Sequence, residues 1–344
     1  MSMNRTVRKT AAYLLLIVSV IFLLFVFLPR TYDTPKLQAR AGTAFWNLST
    51  GSRIGYTYFK GKGERKPYPL IFLNGGPGGA VTDEAIQLRS KFADDGYDVY
   101  LYDQVGSGQS ARLKNIAEYT PDRHRKDLEE IIHKIGAEKV ILVGHSWGAI
   151  LAVLFAAENQ CMIDRIIFTC PGPIYPFHKE VLSVKAPDSL HLQAPVFTNA
   201  QGNKKANNIR TKAMAYFATH FGWKIAGDEE ADEFETLLEY ELNKSTVRDT
   251  SKIAPPSPGG GFYAAIMTFK NLLTVNDPRP KLQHSAIPVL VMKAQYDNQQ
   301  WGFTNEYLEL FSNHKLAVIP NAGHAISVEQ PELYLKTIRE FLAQ

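Results

Sequence analysis

Ser146 stands in the run Gly144-His145-Ser146-Trp147-Gly148, and a serine so placed can attack a carbonyl if a base takes its proton. Glycines on both sides let the chain turn sharply and leave the hydroxyl projecting. The attack would create an oxyanion, which requires two aligned N–H donors. One is expected from Trp147, at the start of the following helix. The other is expected from the loop Asn74-Gly75-Gly76-Pro77-Gly78-Gly79, where Gly76 is assigned because its missing side chain lets the amide approach a substrate. A phosphate cradle is the competing use of such glycines, but no Lys-Ser/Thr pair follows them.

An activated serine also needs a histidine and an orienting carboxylate, and in one recurrent arrangement these follow it in the order acid, then histidine. His324, in the turn Asn321-Ala322-Gly323-His324, sits between the last apolar strand and the last helix, where a base belongs. Asp297 closes the segment Met292-Lys293-Ala294-Gln295-Tyr296-Asp297, just after the preceding strand. The stretch 166–177, after the strand that follows Ser146, offers no carboxylate, which leaves Asp297 as the acid.

These residues need a scaffold that brings strand ends together. Val140-Ile141-Leu142-Val143 is short and β-branched, as a buried parallel strand should be, and Ala149 to Ala157 reads as a buried helix. Strand, turn and helix together form a nucleophile elbow. Further strands are expected at 53–59, 70–73, 99–102, 163–169, 289–292 and 316–319. Helices are expected near 84–93, 122–135 and 331–342. This alternation predicts an α/β domain with a mostly parallel sheet covered on both faces, formed by residues 46–171 and 285–344. Residues 172–284 hold helical patterns and no clear buried strand, so they are expected to form an inserted helical cap.

The N-terminus is of another kind. Arg5, Arg8 and Lys9 precede an uncharged apolar run, Ala11 to Leu28, long enough to cross a bilayer. No small-residue cleavage site follows it, so residues 1–30 read as a cytoplasmic stub and an uncleaved transmembrane signal anchor, with 31–45 as a tether. The basic residues before the run place the catalytic domain on the extracytoplasmic side. Over the whole chain, 45% hydrophobic and 21% charged residues with a net charge of +4, part of it near the N-terminus, are the composition of an ordinary globular protein. There is no basic stripe interleaved with aromatics, and no nucleic-acid partner is expected. Cys161 and Cys170 flank a strand that spans roughly 20 Å, too far for a disulfide. No Cys/His spacing suggests a metal, and no cofactor is expected.

Gly75-Gly76-Pro77-Gly78, Asp103-Gln104-Val105-Gly106-Ser107-Gly108-Gln109-Ser110 and Ser146-Trp147-Gly148 together resemble the prolyl aminopeptidase (proline iminopeptidase) branch of the α/β-hydrolases. The resemblance covers roughly 70–169 and 289–331, and it departs at Asn74, Val105 and His145, where that branch commonly has His, Arg and Gly. It implies an α/β-hydrolase fold with a Ser-His-Asp triad that removes an N-terminal residue, often proline, from small peptides through an acyl-enzyme. A carboxylesterase or lactonase acting on a small uncharged acyl group could use the same triad. In that family cap carboxylates hold the substrate's free amine. Here a helix over 234–242 would put Glu241 in the middle of the apolar face of Phe234, Leu237, Leu238 and Leu242, with Glu235 and Glu239 at its edge or outside it. An inward carboxylate needs a cation, so Glu241 is the candidate amine anchor, against the plainer reading of a snorkelling surface glutamate.

Overall fold

The structure is a computed structural model and describes residues 5–344. The first four residues of the expected cytoplasmic stub lie outside the described residues.

Eight strands form one sheet in the order β1-β2-β4-β3-β5-β6-β7-β8. They are β1 (Ala44–Asn47), β2 (Arg53–Phe59), β3 (Leu70–Leu73), β4 (Val99–Tyr102), β5 (Val140–His145), β6 (Ile163–Thr169), β7 (Val289–Tyr296) and β8 (His314–Gly323). β1 and β2 pair antiparallel at one edge, and every pairing from β4 to β8 is parallel. β3 is buried along its whole length and β5 in all but His145, which is why both read as unbroken apolar runs rather than alternating ones.

The helices are α1 (Arg5–Phe27), α2 (Asp83–Arg89), α3 (Pro121–Ile135), α4 (Trp147–Asn159), α5 (Asn199–Ala206), α6 (Ile209–Phe221), α7 (Asp228–Asn243), α8 (Phe262–Leu272), α9 (Arg279–Leu282), α10 (Trp301–Leu310), α11 (Ile326–Glu329) and α12 (Pro331–Leu342). Two apolar clusters result: α3, α4 and α10 share one with residues of the sheet, and α12 shares the other. α4 is buried from Trp147 through Ala156, as its lack of a polar face requires. Between β6 and β7 the chain makes helices α5–α9 and no strand.

Within α1, Lys9–Phe27 has a mean hydropathy of 2.8 and is almost wholly exposed, so it is long and apolar enough to cross a membrane. The segment after it is pinned rather than slack. Arg30 and Tyr32 donate backbone N–H groups to Glu230 and Glu233 of α7, and Lys36 pairs with Glu229 and Glu233. Arg40 then reaches the sheet domain, bonding Asp83 and the Val81 carbonyl.

Candidate active site

Ser146 lies between β5 and α4 with φ 53° and ψ −115°, a left-handed geometry that a side chain tolerates only when the surroundings enforce it. The flanking glycines supply the enforcement. A Cβ on Gly148 would lie 2.0 Å from the Leu73 carbonyl oxygen, and one on Gly144 would lie 2.5 Å from the oxygen of Gly148. Both positions exist as glycine because strand, turn and helix pack backbone to backbone there.

His324 follows the end of β8 and Asp297 the end of β7, so both stand, like Ser146 after β5, at the carboxyl ends of parallel strands. The His324 ring nitrogen Nδ1 and Asp297 Oδ1 are 2.7 Å apart, and both side chains are buried. His145, the neighbour of Ser146, brings its ring to 4.7 Å from that of His324. Burial, with the nearby His324 and Arg89 charges, pushes the His145 imidazole down to about 3, so it stays neutral and rests against Thr169.

Sequence reasoning missed Lys293. It is 2% exposed, and its ammonium donates to Asp297 Oδ2 at 2.9 Å and to the Gln299 carbonyl at 2.6 Å. Burial opposes ionisation of Asp297, but Lys293 and His324 outweigh it and hold the carboxyl well below the usual carboxylate range. Cys170 also approaches, so that a thiol, the Asp297 carboxylate and a His324 nitrogen fall within 4.8 Å of one another. Burial pushes that thiol well up, and a protonated thiol beside an ammonium is a poor metal ligand. Both cysteines are free.

The glycine loop after β3 packs against the elbow. A Cβ built on Gly75 would lie 3.4 Å from Ser146 Cβ. Gly76 has φ 117°, open to glycine alone, and among the described residues nothing accepts its N–H. Trp147 begins α4, where N–H groups have no helical partner. Gln104 ties these parts together: its Oε1 accepts from the Trp147 indole at 2.8 Å and its Nε2 donates to the Asn74 carbonyl at 3.3 Å. Asp103 holds the loop's far end through the Val81 and Gln109 N–H groups. The Asp-Gln pair of the sequence motif thus braces the two backbone segments. Asn74, one of the departures from the resembled pattern, accepts a hydrogen bond from the buried Arg89 at 2.7 Å.

Glu241 requires a correction. It is buried, as its place on the helix predicts, but two cations of the chain itself already meet it: Lys205 at 2.8 Å, and Lys244. Burial raises its pKa, yet these partners outweigh burial and lower it. Its carboxylate faces α5, which carries Lys205. The uncompensated carboxylates are Glu235 and Glu239, one turn apart on the same helix. Burial raises both, Glu239 most; the Asp232 charge raises Glu235 further, and Glu235 and Asp232 raise Glu239; among the described residues neither has a hydrogen-bond or cationic partner. Asp232 continues the stripe, pushed up to about 6 by burial although Arg112 pairs with it at 2.8 Å. Glu239 Oε1 would be 3.6 Å from a Cβ on Gly79, which puts it against the glycine loop. The apolar-face reading failed because α7 is buried on more than one side while Leu237 and Leu238 are only half-buried.

Residues 68–331 match the family described as alpha/beta hydrolase fold. A proline iminopeptidase of Saccharolobus solfataricus is 25% identical over 298 residues, covering 86% of this chain and 90% of its own. One from Heyndrickxia coagulans is 25% identical over 296 residues, covering 85% and 96%. Among solved structures, an alpha/beta fold family hydrolase from Bacillus anthracis superposes with a TM-score of 0.59 at 20% identity, covering 87% of this chain and 98% of its own. The fold built from these strands and the match along three quarters of the sequence agree: the chain belongs to the alpha/beta hydrolase fold family.

Proposed function

We propose that the protein is a serine hydrolase that removes an N-terminal residue, of proline type, from small peptides. Ser146 attacks the carbonyl of that residue while His324 takes the hydroxyl proton, held in the correct tautomer by Asp297. The Gly76 and Trp147 N–H groups receive the oxyanion. His324 then returns the proton to the leaving amine, and water, deprotonated by the same imidazole, releases the acyl group.

The observation that carries the peptidase reading is the pair Glu235, buried, and Glu239, half-buried, beside the glycine loop without a cation. Two such carboxylates are costly unless a positive group arrives, and the free ammonium of a peptide's first residue is that group. It would form charge-assisted hydrogen bonds while its own carbonyl faces Ser146. The proline-type preference rests on the resemblance and on the relatives named proline iminopeptidase. In the same reading α1 is a single-pass anchor in which Arg5, Arg8 and Lys9, ahead of the apolar run, keep that end cytoplasmic and put the catalytic domain outside.

The test offers proline and alanine arylamides beside nitrophenyl esters to the purified protein. Arylamide turnover that requires a free amine, together with fluorophosphonate labelling lost in Ser146→Ala, is the expected result. Ester turnover with no arylamide turnover would instead favour a carboxylesterase or lactonase, and labelling that survives Ser146→Ala would remove the serine from its role.

A further inference from the structure

The cap carries an apolar surface that the hydrolytic reading leaves without a task. On α6 and just after it, Tyr216, Phe221 and Trp223 are 51%, 50% and 59% exposed. Their rings form one array: Phe221 stacks on Trp223 at 5.1 Å, Phe217 meets Phe221 at 5.7 Å, and Tyr216 meets Phe217 at 5.9 Å. The array runs on into the membrane-length helix, where the Phe27 ring lies edge-on to Phe217 at 6.0 Å. Phe27 and Leu28 are themselves 47% and 56% exposed.

This junction is built, not incidental. Arg210, only 1% exposed, donates from Nη1 to the Val26 carbonyl at 2.6 Å, satisfying an acceptor in the last turn of α1. Its other nitrogens grip Glu230, whose Oε1 also takes the Arg30 N–H. Arg210 and Phe217 lie two turns apart, so α6 reaches the end of α1 at points separated by about 10 Å. If α1 spans a bilayer, its end fixes the depth of α6, and the ring array falls where the hydrocarbon stops.

We infer that the α6 ring face, Tyr216-Phe217-Phe221-Trp223, beds into the headgroup layer of the bilayer that α1 crosses. Contiguous exposed rings are rare on a surface that faces only water, whereas amphipathic aromatic rings are favoured at headgroup depth. Charge agrees with this. Lys212 lies one turn from Tyr216, shares a surface hollow with Lys204, Asn203 and Asn207, and neither lysine has an acidic partner among the described residues. Free ammonium groups at that level can pair with the phosphate oxygens of headgroups. The cap is then held on the membrane surface through its own side chains as well as through the helix. This rests on the reading of α1 as a membrane-spanning anchor.

The test reconstitutes the full chain in vesicles of phosphatidylcholine and phosphatidylglycerol containing phosphatidylcholine brominated on acyl carbons near the headgroup. Tryptophan quenching is compared between wild type and Trp223→Phe, with an alkaline carbonate wash in parallel and the thermal midpoint as a control for folding. Retention in the washed membrane, with a quenched component that disappears in Trp223→Phe, is the expected outcome. Retention without Trp223-dependent quenching overturns the bedding of α6 and leaves the anchor standing. Release by carbonate overturns the anchor and the bedding with it. A concentration-dependent dimer in detergent that Trp223→Ser abolishes, again without quenching, would assign the face to a second copy and overturn the bilayer as its occupant.

Discussion

Lys293 is the residue that separates this constellation from a bare serine, histidine and aspartate. Its buried ammonium and the His324 ring, one on each oxygen, hold Asp297 ionised. Because the Asp297 pKa is depressed in the folded protein, the stability it contributes is present above the unfolded value near 4 and is lost as pH falls through the lower folded value. Lys293→Met should therefore move acid unfolding to higher pH. It should lower stability at neutral pH by about 3–5 kcal/mol, the usual cost of breaking a buried ion pair. Loss of the positive charge also makes protons harder to remove from the coupled His324–Asp297 pair, so the acid limb of kcat/KM should shift upward. Thermal melts against pH and a pH–rate profile check both effects; an unmoved acid limb would reduce Lys293 to packing. The lysine was illegible beforehand because a charged residue next to an apolar strand reads as a strand end meeting water. The His324–Asp297 contact was legible because each residue follows a short apolar run, and the fold brings the ends of such runs to one rim.

At the scale of elements, α7 shows where pattern reading stops. The helix was legible, but the face it turns toward the glycine loop was not, since the reading assumed that leucines mark the buried side. Instead Glu235 and Glu241 are buried on different sides, one unpartnered and one paired with Lys205 and Lys244. The two sides make opposite predictions. Glu239→Gln should lower kcat/KM for an amine-bearing arylamide by about 10- to 100-fold, the worth of a hydrogen bond to a charged group, and leave a nitrophenyl ester unchanged. Glu241→Gln should leave that selectivity where it is and lower Tm by no more than a few degrees. Parallel kinetics on the two substrates and a thermal melt of each variant distinguish them. The mostly parallel sheet and the run of helices after β6 were legible because strand and helix patterns alternate up to β6 and then cease.

For the molecule as a whole, the unpartnered carboxyl pair ties stability to pH. Glu235 and Glu239 have raised pKa values, so the folded protein holds their protons more tightly than the unfolded chain does. Their stabilising contribution is complete below the unfolded value near 4.3 and is lost as pH rises through the raised folded values. Between those limits the Tm of the wild type should fall with pH relative to that of Glu235→Gln/Glu239→Gln. At pH 8 the double variant should melt a few degrees higher, a gap that closes near pH 4; equal slopes in melts across this range would show that the pair is charged and compensated. Residues 30–40 matter at the same scale. They are fastened first to α7 of the cap and then, through Gln38, Arg40 and their partners Gln109 and Asp83, to the sheet domain. With α1 read as a membrane anchor, the clearance between lipid and the Ser146 rim is set by side-chain reach and not by linker length: extra glycines after Ala41 should leave it unchanged, and a bulky folded polypeptide has no slack to squeeze beneath.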